Sequence, residues 1–392
     1  MVRTKDRPVE RLVAENVSEA TWLRLRRLTS SMLCAKILTN RAPTLDPSLI
    51  AKKGEQTAYA VRSALGFWEE HSPALNAKIL SRYYALLQIS IAEQVASLDS
   101  TLDLEEIQRH TEAGHGLSTL IDPSLAFPEN YLIACLKGGH LYMYCRHKGI
   151  DLDAFAFARR PRKIETLDGA QRQCFLSLSD LLRRVPELQP LISECLGTSP
   201  LSFQVHNSER NMEAQLRRVA EHTKNTGQVL HDPPSDGTDL TTYVSIYSEH
   251  PSVTAEFLNG LGLPFANIGA GSAGDKRARH FDGEIHHPGD TYWHEVIELY
   301  KSGYSATSVI APFWKLTDPF ILHLIILYAL SIIVRYLPSL WHDIEDGKLN
   351  HMRALIEHYL LIVDNVVPRL AVENITGTRL LVVQPGSLFA PS

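Results

Sequence analysis

The stretch PFILHLIILYALSIIV, Pro319 to Val334, decides how the rest of the chain must be read. It is almost wholly apolar, and a bilayer crossing needs roughly 20 such residues in a row. This run is shorter, carries His323 within it and ends against Arg335. It therefore reads as a helix buried in the core of a globule. Asp318 and Pro319 supply a start signal, an N-cap side chain followed by a proline at the first helical position.

Outward from this helix the pattern stays helical at both ends of the chain. One long helix is expected from about Thr317 to Ile344, with Pro338 as a kink or stop, and another from about Leu349 to Ala371. Near the start, Ser18 is placed to cap a helix through EATWLRLRRLTSSMLCAKILTN. Asp46–Pro47 and Ser72–Pro73 open two more, the second carrying a stripe of Leu80, Tyr83, Tyr84, Leu87, Ile91 and Val95. The middle is mixed. GHGLST (Gly114 to Thr119) reads as a loop, and YLIACLKGGHLYMYCRH from Tyr131 reads as a β-hairpin turning at Gly138–Gly139. LSLSDLLRRV is a helix stopped at Pro186–Leu188, LSFQVH and TTYVSIY are strands, and a polar helix falls around SERNMEAQLRRVAEH. The expected fold class is mainly α, a helical core from the N- and C-terminal regions with a small mixed α/β middle. The corresponding divisions are 1–120, 121–259, a Gly/His-rich mobile insertion at 260–290, and 291–392.

Composition is that of an ordinary globular protein, 44% hydrophobic and 21% charged. Lysine and arginine number 39 against 44 acidic residues, so a net charge of −5 provides no global field to recruit nucleic acid. The 17 histidines make the surface less negative as pH falls through their titration range. Cys34, Cys135, Cys145, Cys174 and Cys195 are odd in number and contain no C-x-x-C pair. They are expected to be reduced, mostly buried thiols. The charged N-terminus lacks the apolar stretch of a secretory signal, and a cytoplasmic location is expected.

Several stretches together resemble the bacterial YaaC-like family. They are His115–Gly116, the strand and glycine turn after it, Pro186–Leu188, Leu330–Ser331, Arg335–Tyr336 and Trp341, present in that order over roughly residues 20 to 375. The resemblance implies a bacterial protein with a binding, regulatory or scaffold role, in a stress or phage-defence pathway. It lends no catalytic residues. The insertion from Gly260 to Asp290 lies outside the family pattern.

Four constellations are candidates for chemistry. NIGAGSAGDKRARHF (Asn267 to Phe281) holds Gly269, Gly271 and Gly274 in G-x-G-x-x-G spacing. A dinucleotide loop needs a buried strand before the glycines and a helix after them. Pro264 breaks the first and no apolar helical stripe follows, so the stretch reads as a linker. In HFDGEIHH, an extended backbone would put His280, Asp282, Glu284 and His286 on one face, with Phe281 and Ile285 opposite. Same-face neighbours lie roughly 7 Å apart, so only two could share an ion without help from a residue such as His294. A solvated edge strand is the simpler reading, and no metal is assigned.

The third constellation pairs arginine with histidine. HEPN ribonucleases use an R-x4-6-H motif without metal, the histidine acting on the 2′-hydroxyl and the arginine on the phosphorane charge. Arg335 with His342, and Arg353 with His358, fit the spacing. Pro338 falls within the first pair, and Tyr336 and Ala354 stand where that motif has a small polar residue. Among 17 histidines chance spacings are also expected, and Arg109 with His115 is another. The fourth is His115 itself, held between Gly114 and Gly116 so that a tight loop can present its imidazole to a ligand or partner. G-x-S-x-G is absent, and His294–Glu295 is not completed as a zinc motif because Glu298 stands at the second histidine's place.

The sequence thus predicts a binding or regulatory protein acting through His115, Gly116, Arg335 and Tyr336, without cofactor or membrane, on a protein or nucleic-acid partner. Homo-oligomerisation is compatible with it. The alternative is a HEPN-like ribonuclease with Arg335 and His342 as catalytic residues.

Overall fold

The computed structural model describes residues 7–383 except 71, 73, 209, 212–219, 221–223, 225–238, 272–278, 290 and 302–305. The chain is mainly α, 52% helix and 18% strand, and its three sheets are not confined to the middle. The predicted polar helix near 208–222 and Gly274 of the glycine run lie largely or wholly outside the described residues.

Strand β1 (Val9–Val13) leads into α1 (Val17–Arg27) and α2 (Ser31–Arg41). These are two helices where the sequence suggested one. Asn16, not Ser18, caps the first, accepting from the Glu19 N–H at 3.1 Å. Ser30 caps the second, so the chain turns between Leu28 and Ser30. Helix α3 (Pro47–Trp68) begins at Asp46–Pro47 as expected, the aspartate accepting from the Leu49 N–H at 3.1 Å. Helix α4 (Leu75–Ala96) follows without a side-chain cap, and α5 (Leu104–Glu112) opens on an Asp103–Glu106 capping box.

A small mixed sheet comes next. β2 (Leu117–Ile121) pairs antiparallel with β3 (Tyr131–Leu136), which also pairs with the short β4 (Ala156–Phe157) and β5 (Leu176–Ser177). Between β3 and β4 the predicted second hairpin arm is instead a helix, α6 (His140–His147). Its aromatic residues suit either state, but Leu141, Tyr144 and Cys145 recur at helical spacing and are all buried, so the core selects the helix. Helices α7 (Leu178–Leu182) and α8 (Gln189–Leu196) flank the turn at Pro186–Leu188.

A second, antiparallel sheet has the order β10-β11-β6-β7-β9-β8, formed by β6 (Ser202–Asn207), β7 (Asp239–Ser248), β8 (Ala266–Ala270), β9 (Arg279–Pro288), β10 (Tyr300–Lys301) and β11 (Ala306–Ile310). Helix α9 (Ala255–Gly260) packs beside β8. Gly260–Asp290, expected as a mobile insertion, contributes β8 and β9, and β9 is an interior strand rather than the solvated edge strand expected. The alternation in HFDGEIHH explains this: Phe281 and Ile285 enter the sheet's own core with Phe203, Val205, Val244 and Ile246. Gly283 admits Phe265 and Ile268 above it, since a Cβ there would stand 3.0 Å from the Phe265 side chain.

The closing helices are α10 (Pro319–Tyr336), α11 (Pro338–Glu345) and α12 (Asn350–Thr376). Asp318 caps α10, accepting from the Ile321 N–H at 3.0 Å. Pro338 ends it, dividing the single helix expected to Ile344 into α10 and α11. By length and composition α10 could cross a bilayer, but 78% of its span is buried inside the protein. It packs on α4 and α12, inside the larger of the two apolar cores. His323, its polar exception, is satisfied there: Nε2 lies 3.0 Å from the Tyr300 hydroxyl and Nδ1 3.2 Å from that of Tyr359. Finally β12 (Arg379–Val383) pairs in parallel with β1, Val9 opposite Arg379, so the two ends of the described chain meet.

Candidate functional site

Two glycine pairs build the site. Gly114-His115-Gly116 joins α5 to β2, and Gly138–Gly139 joins β3 to α6. The first loop lies across the start of α6: its carbonyls at Gly114 and His115 accept from the His140 and Leu141 N–H groups at 2.8 and 3.0 Å, and Gly116 O accepts from Leu136 N at 2.9 Å. Helix-end N–H groups that have no partner within the helix are thus used by the loop. The approach is close enough to require glycine. Gly116 has φ +74°, and a Cβ on it would meet the Leu141 and Tyr142 backbone nitrogens at 3.0 Å; Gly139, at φ +78°, would meet Gly116 N at 2.5 Å.

His115 is fixed by what surrounds it. Its Nδ1 lies 2.8 Å from the Tyr83 hydroxyl, and its ring packs edge-on to Tyr83 and tilted against Tyr328, at centroid distances of 5.5 and 5.7 Å. Burial, reinforced by the charge of Arg335, lowers its pKa below the ordinary histidine range, so the imidazole is neutral near pH 7. Burial pushes the Tyr83 hydroxyl far up, which keeps its proton in place. In the tautomer in which Tyr83 donates to Nδ1, Nε2 carries the ring hydrogen. Among the described residues no hydrogen bond engages that atom.

Arg335 closes the same aromatic group from α10. Its Nε donates to Ser331 O at 3.1 Å, and its terminal nitrogens reach Ser331 Oγ at 3.1 Å and the Tyr84 hydroxyl at 3.4 Å. The guanidinium also lies 5.2 Å from the Tyr336 ring centroid.

These elements enclose a cleft of about 900 Å³. One wall is the α10 face bearing Tyr328, Ile332 and Tyr336, one helical turn apart each. Lys137, Arg160 and Arg162 also line the cleft, together with His115 and the glycine turns. Among its described lining residues none carries a carboxylate. Arg160 is near enough for its charge to act on the Tyr131 and Tyr328 hydroxyls.

Of the residues singled out in the sequence, the structure gathers His115, Gly116 and Tyr336 at this cleft, while Arg335 is absent from its described lining and lies against the Tyr336 ring and the Tyr84 hydroxyl. His342 stands apart from them, exposed on α11 and absent from the cleft's described lining. Arg353 is engaged by Glu357 at 3.0 Å, and His358 is exposed. On β9, His280 stacks on Tyr247, Asp282 accepts from Ser208 and Ser245 at 3.3 and 3.2 Å, Glu284 accepts from Asn267 at 2.8 Å, and His286 pairs with Thr241. Among the described residues no three histidine, cysteine or acidic side chains converge to hold a metal ion.

The basic wall was missed by sequence reasoning, although a signal existed. RRPRK, Arg159 to Lys163, has four cations in five positions, and Pro161 is buried while its neighbours are exposed. A buried proline within a charge run pins the backbone and directs the cations outward.

The fold and cleft define a mainly α protein with three sheets and an open, cationic depression, lined in part by tyrosines, at the end of its core helix. The chain belongs to the YaaC-like protein family, whose model matches residues 28–375. No curated protein and no solved structure matches it.

Proposed function

We propose that the protein is a binding or regulatory protein whose ligand site is the cleft at His115, and that the ligand is an anion. The observation that carries this reading is the charge inventory of the cleft. Lys137, Arg160 and Arg162 line it, none of its described lining residues is acidic, and Asp153, 3.9 Å from Lys137, is already bonded by Tyr142. Arg160 and Arg162 have no ion-pair partner among the described residues. Guanidinium groups left unpaired beside an enclosed depression suit phosphate or carboxylate, which accept two parallel N–H bonds. His115 is rigidly held and neutral, which fits it to donate a hydrogen bond from Nε2 rather than to add charge. The ligand would contact both α10 and the loop over α6, so its occupancy is felt by the core helix.

Calorimetric titration with inorganic pyrophosphate tests this. The wild-type protein is expected to bind it, more weakly as salt rises, and Arg160→Ala/Arg162→Ala is expected to lose at least tenfold in affinity. No binding by the wild type, or equal binding by the double variant, would overturn the reading.

A further inference from the structure

We infer that the anion this cleft takes is a mononucleotide, its phosphate on Lys137, Arg160 and Arg162 and its base against Tyr336 of α10. The inference rests on the anion-binding reading and adds to it a second recognition element, the α10 side chains that line the same cleft. Tyr328, Ile332 and Tyr336 follow one another at i, i+4 and i+8 along the cleft, Tyr328 buried in the protein and Tyr336 exposed. Tyr336 is 64% exposed, a large aromatic ring that burial in the core does not explain. A guanidinium already lies against it, from Arg335. Arginine and tyrosine stacked together form the kind of platform on which a nucleobase rests, and such stacking is tolerant of base identity.

A ligand that satisfies both sets of side chains joins a planar ring system to a multiply charged anion within a space of about 900 Å³, in the usual range for small-molecule sites. Inorganic phosphate would leave Tyr336 bare, and a free nucleoside would leave Arg160 and Arg162 unpaired. The phosphate has to be met by side chains, because the first two N–H groups of α6 are already given to Gly114 and His115. His115 lines the same cleft, where its ring can hydrogen-bond a ribose hydroxyl or a base edge. A long nucleic acid fits less well. The cations are concentrated at 137 and 159–163, and the whole chain carries −5, so no extended positive track is provided.

The experiment is calorimetric titration of the full chain at low salt with 5′-AMP and 5′-GMP, adenosine, guanosine, inorganic pyrophosphate and a 12-mer of single-stranded RNA. At least one nucleotide is expected to bind tenfold or more tightly than its nucleoside and than pyrophosphate. Tyr336→Ala, at an exposed position, is expected to cost that nucleotide about tenfold and leave pyrophosphate unchanged, while Tyr336→Phe keeps the affinity. Arg160→Ala/Arg162→Ala should weaken both ligands. Pyrophosphate binding as tightly as every nucleotide, or Tyr336→Ala weakening pyrophosphate equally, would overturn the nucleotide inference and leave the anion site standing. An RNA 12-mer bound more than tenfold tighter than any nucleotide would overturn it in favour of a polymer. Binding of none of these ligands removes the anion site as well.

Discussion

His115 is the residue on which the site turns, and its state is set by its neighbours. Tyr83 fixes one ring nitrogen at 2.8 Å, and burial with the charge of Arg335 keeps the ring neutral. Tyr83→Phe removes the tether without changing the shape of the core. It is expected to cost about 1 kcal/mol of stability, the usual net worth of one hydrogen bond, and to weaken ligand binding at the cleft by more than that stability loss alone would suggest; calorimetry beside urea denaturation separates the two. Unchanged affinity would mean that the orientation of His115 does not matter to the ligand. Gly116 makes a sharper case. An alanine there would take a left-handed conformation, worth roughly 1–2 kcal/mol, and would press on the Leu141 and Tyr142 backbone at 3.0 Å. Gly114, also at positive φ, has nothing within 4 Å of a would-be Cβ. Gly116→Ala should therefore lower the urea midpoint clearly more than Gly114→Ala does, and equal losses would contradict the close approach of loop and helix.

At the scale of elements, three of them are joined by one cation. Lys148, just beyond α6, reaches Glu93 of α4 at 3.1 Å and Asp318 at the head of α10 at 2.8 Å. All three side chains are largely buried. Removing one member of such a set leaves uncompensated buried charge, typically about 3–5 kcal/mol. Lys148→Met, which keeps most of the apolar stem, is expected to destabilise by that order in urea denaturation. A loss below about 1 kcal/mol would show that the carboxylates are solvated. The same element ends show what a sequence can and cannot reveal. Asp46–Pro47 and Asp318–Pro319 were legible because capping is local, the acceptor and the N–H it serves lying three residues apart. HLYMYCRH was not, because aromatic residues fit helix and strand alike and only the buried partners of Leu141, Tyr144 and Cys145 decide between them. In HFDGEIHH the alternation was visible, but its glycine- and charge-rich neighbours suggested a solvated edge strand in a mobile insertion. That Phe281 and Ile285 would find a core depended on β6 and β7, more than thirty residues upstream.

For the molecule as a whole, the helical core assembled from both ends was readable, since it rests on long periodic segments. The cleft was not. Its walls come from residues near 115, 137, 160 and 336, brought together only by packing, and the basic run was hidden by attention to histidines. One global property follows from the buried imidazoles. Burial lowers His140 and His323 to about 3, against an ordinary value near 6.5. The unfolded chain therefore takes up these protons first as pH falls. Stability is full above about pH 6.5 and declines from there toward pH 3, each histidine contributing up to about 1.4 kcal/mol per pH unit. Urea midpoints measured between pH 7.5 and 5 should fall steadily below 6.5, and a flat profile would mean that these histidines are charged in the folded protein.

Architecture, cleft and ligand all require that Pro319–Val334 lie inside the protein. Hydrogen–deuterium exchange on the protein purified without detergent reads this most directly. Amides of that segment should be among the last to exchange, opening only with global unfolding. Exchange of the segment within seconds, or a protein that stays in solution only with detergent, would contradict the placement of the helix and everything built at its end.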